Sequence, residues 1–167
     1  MATYAVQWPP GSLLPLRQGL DELAEAVRNR PRERSDTEQI WLTRFLVIRT
    51  CGHLEQVAYE AARGYVSAKS GGLVRTFAES WLVRTKNPTP DNLLELVGRF
   101  KAELRDNLHT LFEEEDQRLR REISFLVDRR NKIAHGMSEG LGTTKALSLK
   151  TDAQLVGDWI VTNLNPG

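Results

Sequence analysis

Apolar residues recur at three- and four-residue spacings along nearly the whole chain, the pattern of helices that bury one face. Leu16, Leu20, Leu23, Ala24 and Val27 form the first stripe, with Pro15 suited to a first helical turn and Pro31 as the break. Ser35 followed by Glu38 has capping-box spacing, in which the two side chains each satisfy an amide left open at a helix start, so a long second helix is predicted from there. Its stripe of Trp41, Phe45, Ile48, Gly52, Ala58, Ala62 and Tyr65 runs to Lys-Ser-Gly-Gly at 69–72, a left-handed stop. A shorter third helix carries Leu73, Val74, Phe77 and Trp81 toward Asn87-Pro88. Thr89, Pro90 and Asp91 read as N-cap, first-turn proline and dipole-matched acid, opening a fourth helix with Leu93, Leu96, Val97, Phe100 and Leu104 inside. The acidic run EEED at 113–116 is predicted to start a fifth helix. Carboxylates suit the positive end of its dipole, and Arg129, Arg130, Lys132 and His135 crowd the negative end. A sixth is predicted over 151–164 around Leu155, Val156, Trp159 and Ile160.

No segment alternates with strand period, and there is no internal repeat or low-complexity tract. The expectation is an all-α fold, one helical bundle of five to six helices filling residues 1–167, with residues 1–12 poorly patterned. The fifth helix contains an irregularity. Its stripe of Leu119, Ile123, Leu126 and Val127 resumes at Ile133, Ala134 and Met137, but Arg130 occupies a slot where an apolar residue is due. His135 follows five positions later, and Gly136 ends the element.

Composition narrows what this charged pair can serve. Forty per cent of the 167 residues are hydrophobic, enough for one ordinary core. Lys and Arg number 23 against 22 Asp and Glu, a net charge of +1, so any contact with a nucleic acid must be local. With Cys51 alone there is no intramolecular disulfide. No apolar leader follows Met1 and no apolar run is long enough to span a bilayer, so a cytoplasmic protein with no membrane contact is expected.

On a helical wheel Asp128, Asn131 and His135 fall nearly on one line, with Arg130 about one step away. A guanidinium beside an imidazole repels a metal ion but suits an anion that also needs proton transfer, such as a phosphodiester. His53 and His109 lack partners at ligand spacing, and neither a metal nor another cofactor is expected.

Arg130, Asn131 and His135, with four residues between Arg and His, together with Gly136 and the all-helical setting, resemble the signature of the HEPN superfamily of helical ribonucleases. The segments VIRTCGHLEQVAYEAARGYV and ISFLVDRRNKIAHG are similar to the branch called RiboL-PSP-HEPN, over residues 36–164. The resemblance implies a metal-independent RNase whose signature helices face one another in a homodimer. RNA would enter the shared groove, and its 2′-hydroxyl would attack the neighbouring phosphorus to leave a cyclic phosphate and a free 5′-hydroxyl. A symmetric patch meeting itself would account for Arg130 in an apolar stripe.

In that setting His135 is the candidate for proton transfer, to or from either oxygen, and Arg130 for holding the phosphate as charge grows on it. Asn131 can orient the imidazole or donate to a phosphate oxygen. The resemblance also places a glutamate near Glu55, facing the signature helix, where it would pair with Arg130 or Arg129; the alternative is a solvated residue at the helix edge. Asp128 is a supporting candidate, and Arg129, Lys132 and Arg121 are candidates for RNA contact, although the six basic residues from Arg118 to Lys132 suit a solvated face equally well. Trp41, Trp81 and Trp159 lie on apolar stripes and are expected in the core or an interface, with Trp8 the exception. His53 and His109 are expected at the surface or satisfied, and Cys51 beside Gly52 is expected to mark close helix packing.

Some HEPN toxins carry a tyrosine two positions after the motif histidine, which a partner nucleotidyltransferase modifies; Met137 stands there in this chain, which puts that control in doubt. An antitoxin or a defence-system partner protein is compatible with the sequence. Two functions remain open: a toxin or antiviral endoribonuclease, and a non-catalytic RNA-binding or protein-interaction module.

Overall fold

A computed structural model of the chain describes residues 7–82, 86–137 and 140–167. Among the described residues there are six helices and no strand: α1 (Leu13–Arg28), α2 (Asp36–Lys69), α3 (Gly72–Leu82), α4 (Pro90–Gly98), α5 (Ala102–Ala134) and α6 (Thr143–Asn163). The all-α bundle is thus observed as expected, and no described helix is long and apolar enough to cross a membrane.

Helix α2 is the axis of the bundle. It packs most extensively on α6 and also touches α1, α3 and α5, while α4 lies on α5. Its buried face is Leu46, Val47, Cys51, Leu54, Val57, Ala58, Ala61 and Ala62. Small residues let α6 come close, and a Cβ on Gly157 would meet the Val57 side chain at 3.2 Å. Cys51 is fully buried in the core, whereas Gly52 beside it has open space around it.

Local signals set the starts of α2 and α4. Ser35 and Glu38 form the complete capping box, and the Thr89 hydroxyl accepts from the Asn92 amide with Pro90 in the first turn. At the end of α2, Arg75 reaches back from α3 and donates to the carbonyls of Ser67 and Ser70, groups a helix end leaves unpaired.

Three boundaries differ from the sequence expectation. Helix α4 ends at Gly98, so Phe100 and Leu104 fall outside it, and α6 begins at Thr143 rather than at 151. The acidic run does not open a new helix; it forms a joint inside α5. Glu114 is extended, and Glu115, Asp116 and Gln117 are left-handed with φ of 49°, 54° and 60°. The second limb therefore starts just after the carboxylates, where the dipole still favours them. Residues 83–85, on the expected path of the third helix toward Asn87, lie outside the described residues.

The apolar stripe assigned to α2 also needs correcting. Trp41 and Phe45 are exposed at 61% and 49%, and the burying face is rotated away from them. Helix α3 buries none of its residues, leaving Leu73, Val74, Phe77 and Trp81 open to solvent. Trp159 does pack on the core. So does Trp8, whose indole N–H donates to the Val161 carbonyl at 3.1 Å, against the expectation that it stood apart.

Candidate active site at the end of helix α5

Leu119, Ile123, Leu126 and Val127 anchor the second limb of α5 in the core and thereby fix the rotation of everything after them. One turn beyond Leu126 and Val127, Arg130 is half-buried. Arg130 Nη2 donates to Oδ1 of Asn87, in the segment leading to α4, and the guanidinium reaches the sulfur of Cys51 on α2. Burial pushes the Cys51 thiol up, more than the Arg130 charge pulls it down, and Glu55 one turn along α2 adds to the rise. Arg130 thus fills its apolar slot because polar partners meet it there.

Glu55 is half-buried and belongs to the same neighbourhood, since it and Arg130 both act on Cys51. This is not the fully solvated helix edge that was the alternative reading. Asn87 is itself fixed, because its backbone carbonyl accepts from Asn92 Nδ2 and from the Thr89 amide, each at 2.7 Å. Glu55 and Asn87 line a cavity of about 250 Å³ between α2, α3 and α4, whose other walls include Tyr59, Trp81, Pro88 and Asn92.

His135 lies at the opposite side of the helix end. It is the C-cap residue, exposed, with its backbone N–H donating to the Asn131 carbonyl at 3.0 Å, and Gly136 follows with φ of 74° to turn the chain out of the helix. Five helical residues advance the chain about 7.5 Å and rotate it about 140° beyond one full turn. By that geometry Arg130 and His135 leave the helix in different directions about its axis, with Asn131 nearer in direction to His135.

The neighbouring candidates divide. Asn131 is half-buried one turn before His135. Asp128 is exposed and ion-paired with Lys132 at 3.2 Å, so it supports the basic face and does not touch the imidazole. Arg129 stacks over the Phe125 ring at 4.6 Å, which holds it against the helix. Arg121 sits by the joint, donating to the Asp116 carbonyl three turns before the signature, and takes no part in this arrangement.

His109 is exposed, with Glu113 at 3.7 Å, as a surface residue should be. His53 is not: it is buried among α1, α2 and α6, and its Nδ1 has no hydrogen-bond partner. Asn87 escaped the sequence reading because an Asn-Pro pair looks only like a helix stop. Cys51 carried a usable signal, its place one turn before Glu55 on the same helix face.

The second limb of α5 runs antiparallel to α2. Arg130 lies by Cys51, whereas Thr143, just beyond the end of α5, meets Thr43 and Gln39 at 3.2 Å each. Trp41 and Phe45 of α2 are exposed, as is Met137, two residues after His135.

No curated protein sequence and no solved structure matches the chain. The model of the RiboL-PSP-HEPN family matches residues 16–161, through all six helices and across Arg130, Asn131 and His135. That match covers most of the 167 residues and agrees with the all-helical bundle, and the chain belongs to the RiboL-PSP-HEPN family, a HEPN-type domain.

Proposed function

We propose that this HEPN domain is a metal-independent endoribonuclease whose cleft is assembled by two copies of the chain. The observation that supports the reading is the pair of a half-buried Arg130 and an exposed His135 on one helix end, within the span that the family match covers. In this reading each works opposite a group from another chain, and the exposed Trp41, Phe45 and Met137 supply a surface for pairing. In the cleft the Arg130 guanidinium binds the phosphate and meets the charge that builds on it, as a planar two-pronged donor does best. His135, an exposed imidazole, moves the proton of the attacking 2′-hydroxyl or of the leaving 5′-oxygen. Asn131 orients it or donates to a phosphate oxygen. Lys132 and Arg129 extend a local positive surface on a molecule of net charge +1. An effector of toxin or antiviral type, restrained by a partner protein, is the setting this chemistry suits.

A second reading has one observation in its favour. Arg130 already has Asn87 and Cys51 as partners, which suits a structural arginine in a non-catalytic interaction module. Cleavage of end-labelled RNA separates the two. The native chain should cut with EDTA present, leaving a cyclic phosphate. An all-DNA strand should be inert, and one 2′-deoxy nucleotide should block cutting at its own position. His135→Ala should abolish cutting with the melting temperature nearly unchanged, and Arg130→Lys should still bind RNA but lose most turnover. Cutting of DNA, or a need for magnesium, would overturn the mechanism.

A further inference from the structure

The cavity beside Arg130 is chemically mixed in a particular way. Tyr59 and Trp81 bring aromatic surface, Pro88 adds an apolar wall, and Glu55, Asn87 and Asn92 bring hydrogen-bonding groups. A cavity of roughly 150 Å³ accepts a benzene ring. The 250 Å³ found here has room for a fused two-ring heterocycle. Trp81 is 52% exposed, with Phe77 edge-on to it at 6.2 Å, so an indole face stands at the mouth and is not consumed in the core. Lys86 and Arg99 both pair with Glu95, at 2.9 and 2.5 Å, and with Glu55 the two cations and two carboxylates that line the cavity cancel, leaving little field to draw in a phosphate. Such walls fit an uncharged flat ring with polar edges.

The cavity is joined to the proposed phosphate site through one residue. Asn87 lines it, and its Oδ1 is held by Arg130, which leaves its NH2 group as a donor. Glu55 is an acceptor on the same wall and also neighbours Arg130 by way of Cys51. Any phosphate on Arg130 therefore lies one side chain away from a pocket for the base attached to it.

We propose that this cavity seats one unpaired purine base of the RNA, next to the phosphate held by Arg130. Tyr59 and Trp81 stack on it, and Glu55, Asn87 and Asn92 read its edge. This is the way single-stranded RNA is recognised, by splayed bases on aromatic faces. The assignment makes Trp81 and Asn92 specificity residues of the nuclease and rests on the nuclease reading for its position next to the cut. Because a free purine nucleotide offers the same ring, the test includes both sources.

The experiment has a binding arm that does not need cleavage. Tryptophan fluorescence of the His135→Ala chain is titrated with A, G, C and U homohexamers of 2′-O-methyl RNA and with the four nucleoside 5′-monophosphates, and repeated with Trp81→Leu added. Purine hexamers should quench at least tenfold lower concentration than pyrimidine ones. With Trp81→Leu that discrimination should vanish while circular dichroism stays the same. In the cleavage arm, an RNA with an abasic site at the preferred purine should be cut at least tenfold more slowly by the native chain. Trp81→Leu should cut both RNAs at that slower rate. Cutting without base preference, unchanged by Trp81→Leu, overturns the pocket and leaves the nuclease reading standing. No cutting with purine-selective quenching keeps the pocket and removes the nuclease. Quenching by monophosphates alone overturns RNA as the source of the base, and no selective quenching by any probe overturns the proposal.

Discussion

At the scale of single residues, the environment of a charged or titratable side chain decides its role more than its place in a motif. Arg130 was visible in the sequence as a fault in an apolar stripe, but the reason for it was not, because Asn87 and Cys51 lie far from it along the chain. A helical wheel reports direction around one helix and says nothing of what stands opposite. His53 was misjudged for the same reason, as its burial is created by α1 and α6 together. Burial first, and then the Arg17 charge, hold its pKa below the ordinary 6.5, while Asp21, Asp158 and a hydrogen bond with the Leu16 backbone oppose the fall. A histidine whose pKa is depressed on folding binds its proton more readily when unfolded. Its contribution to stability is full above about 6.5 and is lost as pH falls from there toward the lower folded value. The melting temperature should thus decline from about pH 7.5 to 5, and His53→Gln should flatten that decline, as scanning calorimetry across this range would reveal. An unchanged slope in the variant would assign the acid sensitivity to other groups.

At the scale of elements, capping chemistry was legible and helix interruptions were not. Ser35, Glu38, Thr89 and Pro90 act within four residues of themselves, so their sequence spacing is sufficient. The joint in α5 depends on what the two limbs pack against. The first limb buries Leu108 and Phe112 and the second buries Leu119 and Ile123, and a straight helix through four acidic residues would not serve both. Arg118 pins the joint by donating to Glu115 and, at 2.8 Å, to the buried Asp152 of α6. Left-handed backbone at non-glycine residues costs about 1–2 kcal/mol each. Gln117→Gly should therefore stabilise the chain, by about 0.5–1 kcal/mol after the added freedom of the unfolded glycine is set against the relief, read as a rise in denaturant midpoint. The core of the same limb responds oppositely. Leu126 is fully buried, and Leu126→Ala should cost about 2–5 kcal/mol through the cavity it leaves, before any chemistry is touched.

At the scale of the whole molecule, the proposed composite cleft requires a dimer, and that requirement can be tested. Trp41 and Phe45 on α2 and Met137, two residues past His135, are exposed apolar side chains that a partner copy could cover. If the cleft forms across a two-fold axis there, Phe45→Glu should leave helicity intact yet convert the dimer to a monomer in light scattering, with loss of cutting in step. A folded, dimeric and active Phe45→Glu chain would place the interface elsewhere. Mixing two inactive chains tests the composite site more directly. In a dimer where each cleft takes Arg130 from one copy and His135 from the other, a chain with Arg130→Ala paired with one carrying His135→Ala has one dead cleft and one intact cleft. Random exchange makes half of the dimers mixed, so RNA cleavage should return to about a quarter of the native rate. Arg130 and His135 acting from the same copy would give no recovery, because every cleft would then carry one of the two defects. The 140° turn between the two residues favours recovery, since a side chain tied to Asn87 and one at an exposed helix end meet a common phosphate most readily when the second comes from the partner.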